Sequence, residues 1–181
     1  MISDKAIIDP SAVIHPTAVI YGNVKIGADC YIGAYSVIGS PPEHREAIAE
    51  GRQTGVLIRD NVRINEYVTV SAGVERTTTI RQRAFIQRGA YISHDTIIGN
   101  MVTVSCNVLI GGHSEIDRDA NLGLGCIIHQ RSKIREGCMI GMGAVVTKSQ
   151  ETQPYKVYVG SPAKYLKDNE YLINKLNTLG I

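Results

Sequence analysis

Ile, Val or Leu recurs at every sixth position along most of this chain, and the recurrence holds one phase within each of three blocks. The first block is Ile8, Ile14, Ile20, Ile26, Ile32 and Ile38, and the second is Ile58, Ile64 and Val70. The third is Ile80, Ile86, Ile92, Ile98, Val104, Ile110, Ile116, Leu122, Ile128, Ile134, Ile140 and Val146. A 3.6-residue helix would scatter such positions around its cylinder, and a flat strand would repeat every second residue. A period of six with one buried residue per unit describes a chain that turns a corner after each short strand, which is a β-solenoid. Four residues after the aliphatic position comes a small or slim residue, among them Ala18, Cys30, Ser36, Ala84, Ala90, Thr96, Ser114, Cys126, Ser132, Cys138 and Ala144. That residue is expected to lie inside, where a corner brings the walls together. Gly follows the aliphatic residue at Gly27, Gly33, Gly39, Gly99, Gly111, Gly123 and Gly141, and is expected to supply backbone angles closed to other residues.

Three six-residue sides make a triangular coil of 18 residues, so the 21 units predict about seven coils. At the ~4.8 Å strand spacing, the prism is roughly 34 Å long. Two loops leave it where the phase breaks: residues 41–55, polar and carrying a short helical stretch, and residues 75–79. Residues 1–150 are the β-helix domain with its insertion at 41–55. Residues 151–181 are a connector followed by a C-terminal helix. Ser161-Pro162 is expected to open that helix, with Ser161 as N-cap and Pro162 in the first turn. Tyr165, Leu166, Leu172, Ile173, Leu176 and Leu179 would form its apolar stripe, and Gly180 would end it. The expected fold class is all-β, a parallel β-helix with a short C-terminal α-helix.

Composition adds mainly exclusions. A net charge of +2 gives no electrostatic case for nucleic acid. No apolar run reaches membrane-spanning length and the start lacks a signal-peptide core, so a cytoplasmic protein is expected. Cys30, Cys126 and Cys138 occupy the small interior slot and read as reduced packing residues, while Cys106 falls off it.

Candidate chemistry lies in three of the five histidines. His94 follows Ile92 by two residues, His113 follows Ile110 by three and His129 follows Ile128 by one. All three therefore sit near one edge of the prism on consecutive coils, within ~10 Å along the axis, at outward positions of the repeat. Histidine is the usual general base because it titrates near neutrality. Asp95 can orient the His94 ring, and Gly111-Gly112 offers backbone N–H groups unobstructed by a side chain to a developing oxyanion. Together these point to acyl transfer. Arg76, Arg81, Arg83 and Arg88 follow the second loop as either a phosphate grip or a solvated, ion-paired face.

The stretches AYISHDTIIGN (90–100), LIGGH (109–113) and IIHQ (127–130), with IHPTAVI (14–20), resemble the UDP-N-acetylglucosamine O-acyltransferases of lipid A biosynthesis, within the left-handed β-helix acyltransferases. The resemblance runs over roughly residues 10–155. It implies a left-handed coil and a homotrimer with sites in the clefts between subunits. It makes His94 the general base with Asp95 beside it, and Gly112 the oxyanion donor. His113, His129 and Gln130 become contacts to the sugar nucleotide or the acyl donor, and Glu43 or His44 an acidic-loop contact. Tyr91 stands where that family has a further substrate-binding histidine. The family's large C-terminal helical domain has no counterpart here. The segment VYVGSPAKYL (157–166) is instead similar to coenzyme-A-dependent hexapeptide acetyltransferases, which implies that Ala163 and Lys164 meet the coenzyme A nucleotide.

The expected activity is transfer of an acyl group, acetyl from coenzyme A foremost, to a hydroxyl or amine of a nucleotide-linked sugar, with no metal. Three alternatives stay open: an acyl-carrier-protein-dependent transferase on the same acceptor, a zinc enzyme of the γ-carbonic-anhydrase type, and a non-enzymatic scaffold.

Overall fold

The computed structural model describes residues 1–148, 150 and 152–179, the last by its backbone alone. The predicted triangular winding is present. The first wall stacks Ile7–Ile8, Val24–Ile26, Val56–Ile58, Thr78–Ile80, Ile97–Ile98, Glu115–Ile116 and Lys133–Ile134. The second runs from Val13–Ile14 to Met139–Ile140, and the third from Val19–Ile20 to Val145–Val146. Every pairing among these strands is parallel and keeps the repeat in register, so Ile80 lies over Ile98, Ile98 over Ile116 and Ile116 over Ile134. β-Branched side chains suit this stacked surface. From Ile20 to Val146 every aliphatic repeat position is buried, and so are the small slots from Ala18 to Ala144. Ile8 and Ile14, in the bottom coil, are only half-buried.

Most corners above the bottom coil turn through one residue of left-handed backbone three places after the aliphatic position. Asp29, Tyr67, Met101, Asp95 and His113 all have φ between 54° and 61°. Most L-residues avoid this region. The glycines that follow the aliphatic residue are therefore not the ones that turn the chain. Of those seven only Gly39 has a positive φ, at 84°. The others are glycine for want of room: a Cβ on Gly111 would lie 2.5 Å from the backbone nitrogen of Gln130 in the next coil.

The end of the chain also departs from expectation. Ser161-Pro162, whose peptide bond is cis, does not start a helix. It lies in the turn between Lys156–Val159, which continues the second wall in parallel, and Lys164–Asp168, which pairs antiparallel with it. Tyr165 and Leu166 are exposed strand residues. The two strands form a hairpin that covers the open edge of the second wall. Besides α1 (Arg45–Glu50), in the first insertion, the helix that does form is α2 (Glu170–Leu179). Asn169 begins α2, its Oδ1 accepting from Leu172 N at 3.4 Å, and its Nδ2 ties the helix to Gly137 O at 2.9 Å. Gly180, expected to end it, lies outside the described residues, as does the Leu179 side chain.

Cys30, Cys126 and Cys138 are buried in the core. Burial pushes all three thiols up, that of Cys126 to about 12. No helix among the described residues is long and apolar enough to cross a membrane.

Candidate active site

The corner between the third and first walls collects the irregular parts of the molecule. Both insertions leave there, one after the strand Val37–Ser40 and one after Thr69–Ser71. Residues 93–96, 111–114 and 129–132 stack above them as the same corner of the next three coils, with His113 N donating to His94 O at 3.0 Å and Arg131 N to Gly112 O at 2.9 Å. His94, His113 and His129 thus share one edge, as their spacing predicts.

They are not equivalent on it. His94 is buried, 8 % exposed, with its Nδ1 2.7 Å from Asp95 Oδ2. Asp95 is fully buried and occupies the left-handed corner position, φ 61°. Its carboxylate also accepts from the N–H groups of Val74 (3.1 Å), Glu75 (2.9 Å) and Arg76 (2.6 Å) in the second insertion. Burial pushes this carboxyl up, but the Arg76 N–H, the His94 ring and the Val74 and Glu75 N–H groups outweigh it, and the group stays below its ordinary value. An ionised Asp95 must accept from His94, so the imidazole carries its proton on Nδ1 and leaves Nε2 as a base.

Gly112 lies against that nitrogen. A Cβ there would sit 2.8 Å from His94 Nε2 and 2.8 Å from Cε1, so no larger residue fits unless the ring moves. Among the described residues the Gly112 N–H has no hydrogen-bond partner. A base and a free backbone donor are side by side, the two groups acyl transfer needs.

His113 packs edge-on against His94, ring centroids 5.1 Å apart. Its Nε2 lies 3.6 Å from Asp95 Oδ2 and its Nδ1 3.9 Å from Glu75 Oε2. Burial holds its pKa below the ordinary 6.5, with Asp95 opposing and Arg131 assisting. His129 and Gln130 stand exposed one coil further along, and the His129 ring bonds the Gln130 carbonyl through Nδ1 at 2.8 Å. Tyr91 is half-buried on the third wall, its hydroxyl 3.4 Å from Ser71 Oγ.

The spacing of the histidines did not reveal the other members. His44, in the first insertion, uses Nδ1 to cap α1 at Ala47 N (3.2 Å) and sets its ring edge-on to His94 at 5.7 Å. Arg76 enters the corner rather than joining Arg81, Arg83 and Arg88 on the surface. Thr78 Oγ1 accepts from Asp95 N at 2.9 Å. One signal pointed here: the repeat blocks contain six, three and twelve positions, all multiples of three, so both breaks had to open at one corner.

His94, Asp95 and His113 bring a ligand atom each within 4.8 Å of one another. The set suits a cation poorly, because Asp95 Oδ1 already takes three N–H groups and Oδ2 takes Nδ1 of His94. His129, the third ring a zinc site of three histidines would need, is not among them.

Ala163 and Lys164 lie apart from this cluster, lining a groove of about 750 Å³ with Thr147, Lys156, Tyr158 and Tyr165. The Ala163 N–H is already committed to Val145 O at 2.8 Å, so a ligand there would meet side chains instead. Cys106 is at the corner between the second and third walls, with its Sγ 3.4 Å from Gln87 Oε1.

Comparison with known proteins agrees with the fold. Residues 5–40 match the family described as bacterial transferase hexapeptide (six repeats). The acyl-acyl-carrier-protein–UDP-N-acetylglucosamine O-acyltransferase of Campylobacter concisus is 30% identical over 150 residues, covering 81% of this chain and 53% of that protein. The chain spans about half the length of the curated relatives it matches. Among solved structures, UDP-N-acetylglucosamine acyltransferase from Campylobacter jejuni superposes with a TM-score of 0.78 at 26% identity, over 97% of this chain and 77% of that one. The Moraxella catarrhalis UDP-N-acetylglucosamine O-acyltransferase gives 0.71 at 25%, over 96% and 77%. Residues 5–40 thus carry the hexapeptide repeat of bacterial transferases, and most of the chain is similar to the UDP-N-acetylglucosamine O-acyltransferases.

Proposed function

We propose that the protein transfers an acyl group from a thioester to a hydroxyl or amine of a nucleotide-linked sugar. The observation that carries this reading is the His94–Asp95 pair with Nε2 set against Gly112. His94 Nε2 takes the proton of the acceptor as its oxygen or nitrogen attacks the thioester carbonyl. The Gly112 N–H holds the resulting oxyanion. Collapse of the tetrahedral intermediate breaks the carbon–sulfur bond, and the thiolate leaves with the proton from His94. Asp95 fixes the tautomer and offsets the charge of the imidazolium.

The sugar-nucleotide acceptor is supported by the names of the relatives above, with His113, His129, Gln130 and Tyr91 as its contacts. Coenzyme A is the proposed donor carrier, supported by the groove that Lys156 and Lys164 line. The relatives' printed name favours acyl-carrier protein as a second reading. A homotrimer is part of the proposal. The third wall presents Leu109 and Ile127, 45 % and 41 % exposed, next to the exposed His129 and Gln130, so a second copy against that wall would enclose the corner.

The test is to incubate the full chain with UDP-N-acetylglucosamine or UDP-linked amino sugars and either acetyl-coenzyme A or acyl-acyl-carrier protein, and to follow product mass and thiol release. Product from one carrier and not the other selects the donor. No acyl product from any pair overturns the reading, and a molar mass of a single chain in light scattering overturns the trimer.

A further inference from the structure

We propose that Arg76 is a positioning residue for the His94–Asp95 pair, clamping from the second insertion the backbone of the two corner residues that carry the carboxylate and the second imidazole. The inference rests on His94 acting as the base.

Arg76 is one of four arginines that follow one another closely in sequence, and it alone turns inward among them. Its Nε donates to Asp95 O at 2.6 Å and its Nη2 to His113 O at 3.1 Å. Its Nη1 is anchored by Glu115 Oε1 at 2.8 Å, and Glu115 is also 3.3 Å from Lys133 Nζ. Asp95 and His113 are corner residues of consecutive coils, and both have left-handed backbone, φ 61° and 59°. Only a planar fork with donors on separate nitrogens reaches two carbonyls and a carboxylate at once, which a lysine cannot do. The same residue's backbone N–H makes the shortest of the three loop contacts to the Asp95 carboxylate. Arg76 therefore holds Asp95 at both ends, by its carbonyl and by its side chain. Through Asp95 it fixes the rotation and tautomer of His94, because the imidazole has no choice of donor nitrogen while Oδ2 stays in place.

The loop is shaped for this. Gly73 is buried, and a Cβ there would lie 1.7 Å from Arg76 O. A side chain at 73 would displace the Arg76 backbone without removing a charge. An arginine so committed is not free to grip a substrate phosphate. The charged and titratable neighbours that face the pair are His44, Glu75, His113, Glu115 and Arg131.

The test measures His94 directly in the full chain labelled with ¹⁵N-histidine, alongside turnover. In the wild type the ring is expected to be the Nδ1–H tautomer. In Arg76→Ala and in Gly73→Ala the two tautomers should mix as the loop N–H groups leave Asp95. Turnover should fall about tenfold at unchanged KM, and methylguanidinium should restore part of it in Arg76→Ala but none in Gly73→Ala. An unaltered tautomer in both variants would overturn the proposal, as would equal kcat. If His94→Ala keeps wild-type turnover, the reading of His94 as the base fails instead. Arg76→Lys, which keeps the charge and loses the fork, should behave as Arg76→Ala; wild-type behaviour there would show that charge alone suffices and would also overturn the clamp.

Discussion

Two corners of the prism show what the repeat does and where it stops. At the corner between the first and second walls, left-handed backbone is taken by Asp29, Asn61, Arg83, Met101 and Asp119 in successive coils. These side chains form no common cluster, being Asp, Asn, Arg, Met and Asp in turn, and the first four are exposed. At the corner between the third and first walls, the same position holds Asp95, His113 and Arg131. There the two insertions fold over the coil, bury Asp95 completely and bring His44 and Arg76 onto the corner. The backbone is the same in both places. Burial and hydrogen-bond donors brought from outside the repeat turn an ordinary corner residue into a held carboxylate. Here the candidate chemistry concentrates where the period is interrupted, because the insertions bring the N–H groups that hold the buried Asp95 carboxylate.

The comparison can be broken first at what both corners depend on. Ile92→Ala and Ile98→Ala each remove a fully buried side chain from the shared core, and each should cost about 2–5 kcal/mol by chemical denaturation. Similar costs at the two positions would show that the scaffold is uniform.

Gly112→Ala separates the corners. Its Cβ would meet the His94 ring and push it aside, so turnover should fall by about 10²–10⁴, the scale of losing a placed general base. Asn100→Ala, at the corresponding place of the other corner, should leave it unaltered. Turnover near wild type for Gly112→Ala would show that the place of the His94 ring against residue 112 is not needed for the reaction.

Acid should act in two stages. His113 has its pKa lowered by burial, so the unfolded chain binds a proton that the folded chain resists. Stability should therefore decline as pH drops below about 6.5 and level off once the folded group has titrated. His113→Gln should flatten that segment of the melting curve against pH. Asp95 acts in the same direction at lower pH: its stabilisation is complete above 3.8 and is lost as pH falls through its lower folded value. Denaturation midpoints from pH 8 to 2 would show both.

The smallest effect is expected from Cys106→Ser. Cys106 sits at another corner from His94 and is half-buried, so turnover should stay within about twofold and stability within roughly 0.5 kcal/mol. A large loss of turnover would revive a covalent route.

Much of the fold was legible because the period of six admits one winding, and Ile80 to Val146 hold it without a gap. The histidine edge followed from counting residues around that winding. Three features escaped. The glycine positions look like turns in the sequence, whereas Gly111 is set by the nearness of Gln130 in a neighbouring coil, a distance no single chain segment shows. Ser161-Pro162 carries a good helix-start signal, but the open edge of the second wall competes for the same residues and takes them as strands. Arg76 looked like its three neighbours because its partners, Asp95, His113 and Glu115, lie 19 to 39 residues away.

The most direct measurement is the rate of acyl transfer by His94→Ala against wild type across pH, with melting temperature followed in parallel. Removing the base at Nε2 should lower the rate by about 10²–10⁴ and abolish the acidic limb of the profile, while the coil stays folded. A variant that keeps the wild-type rate and the same limb would contradict the role given to His94.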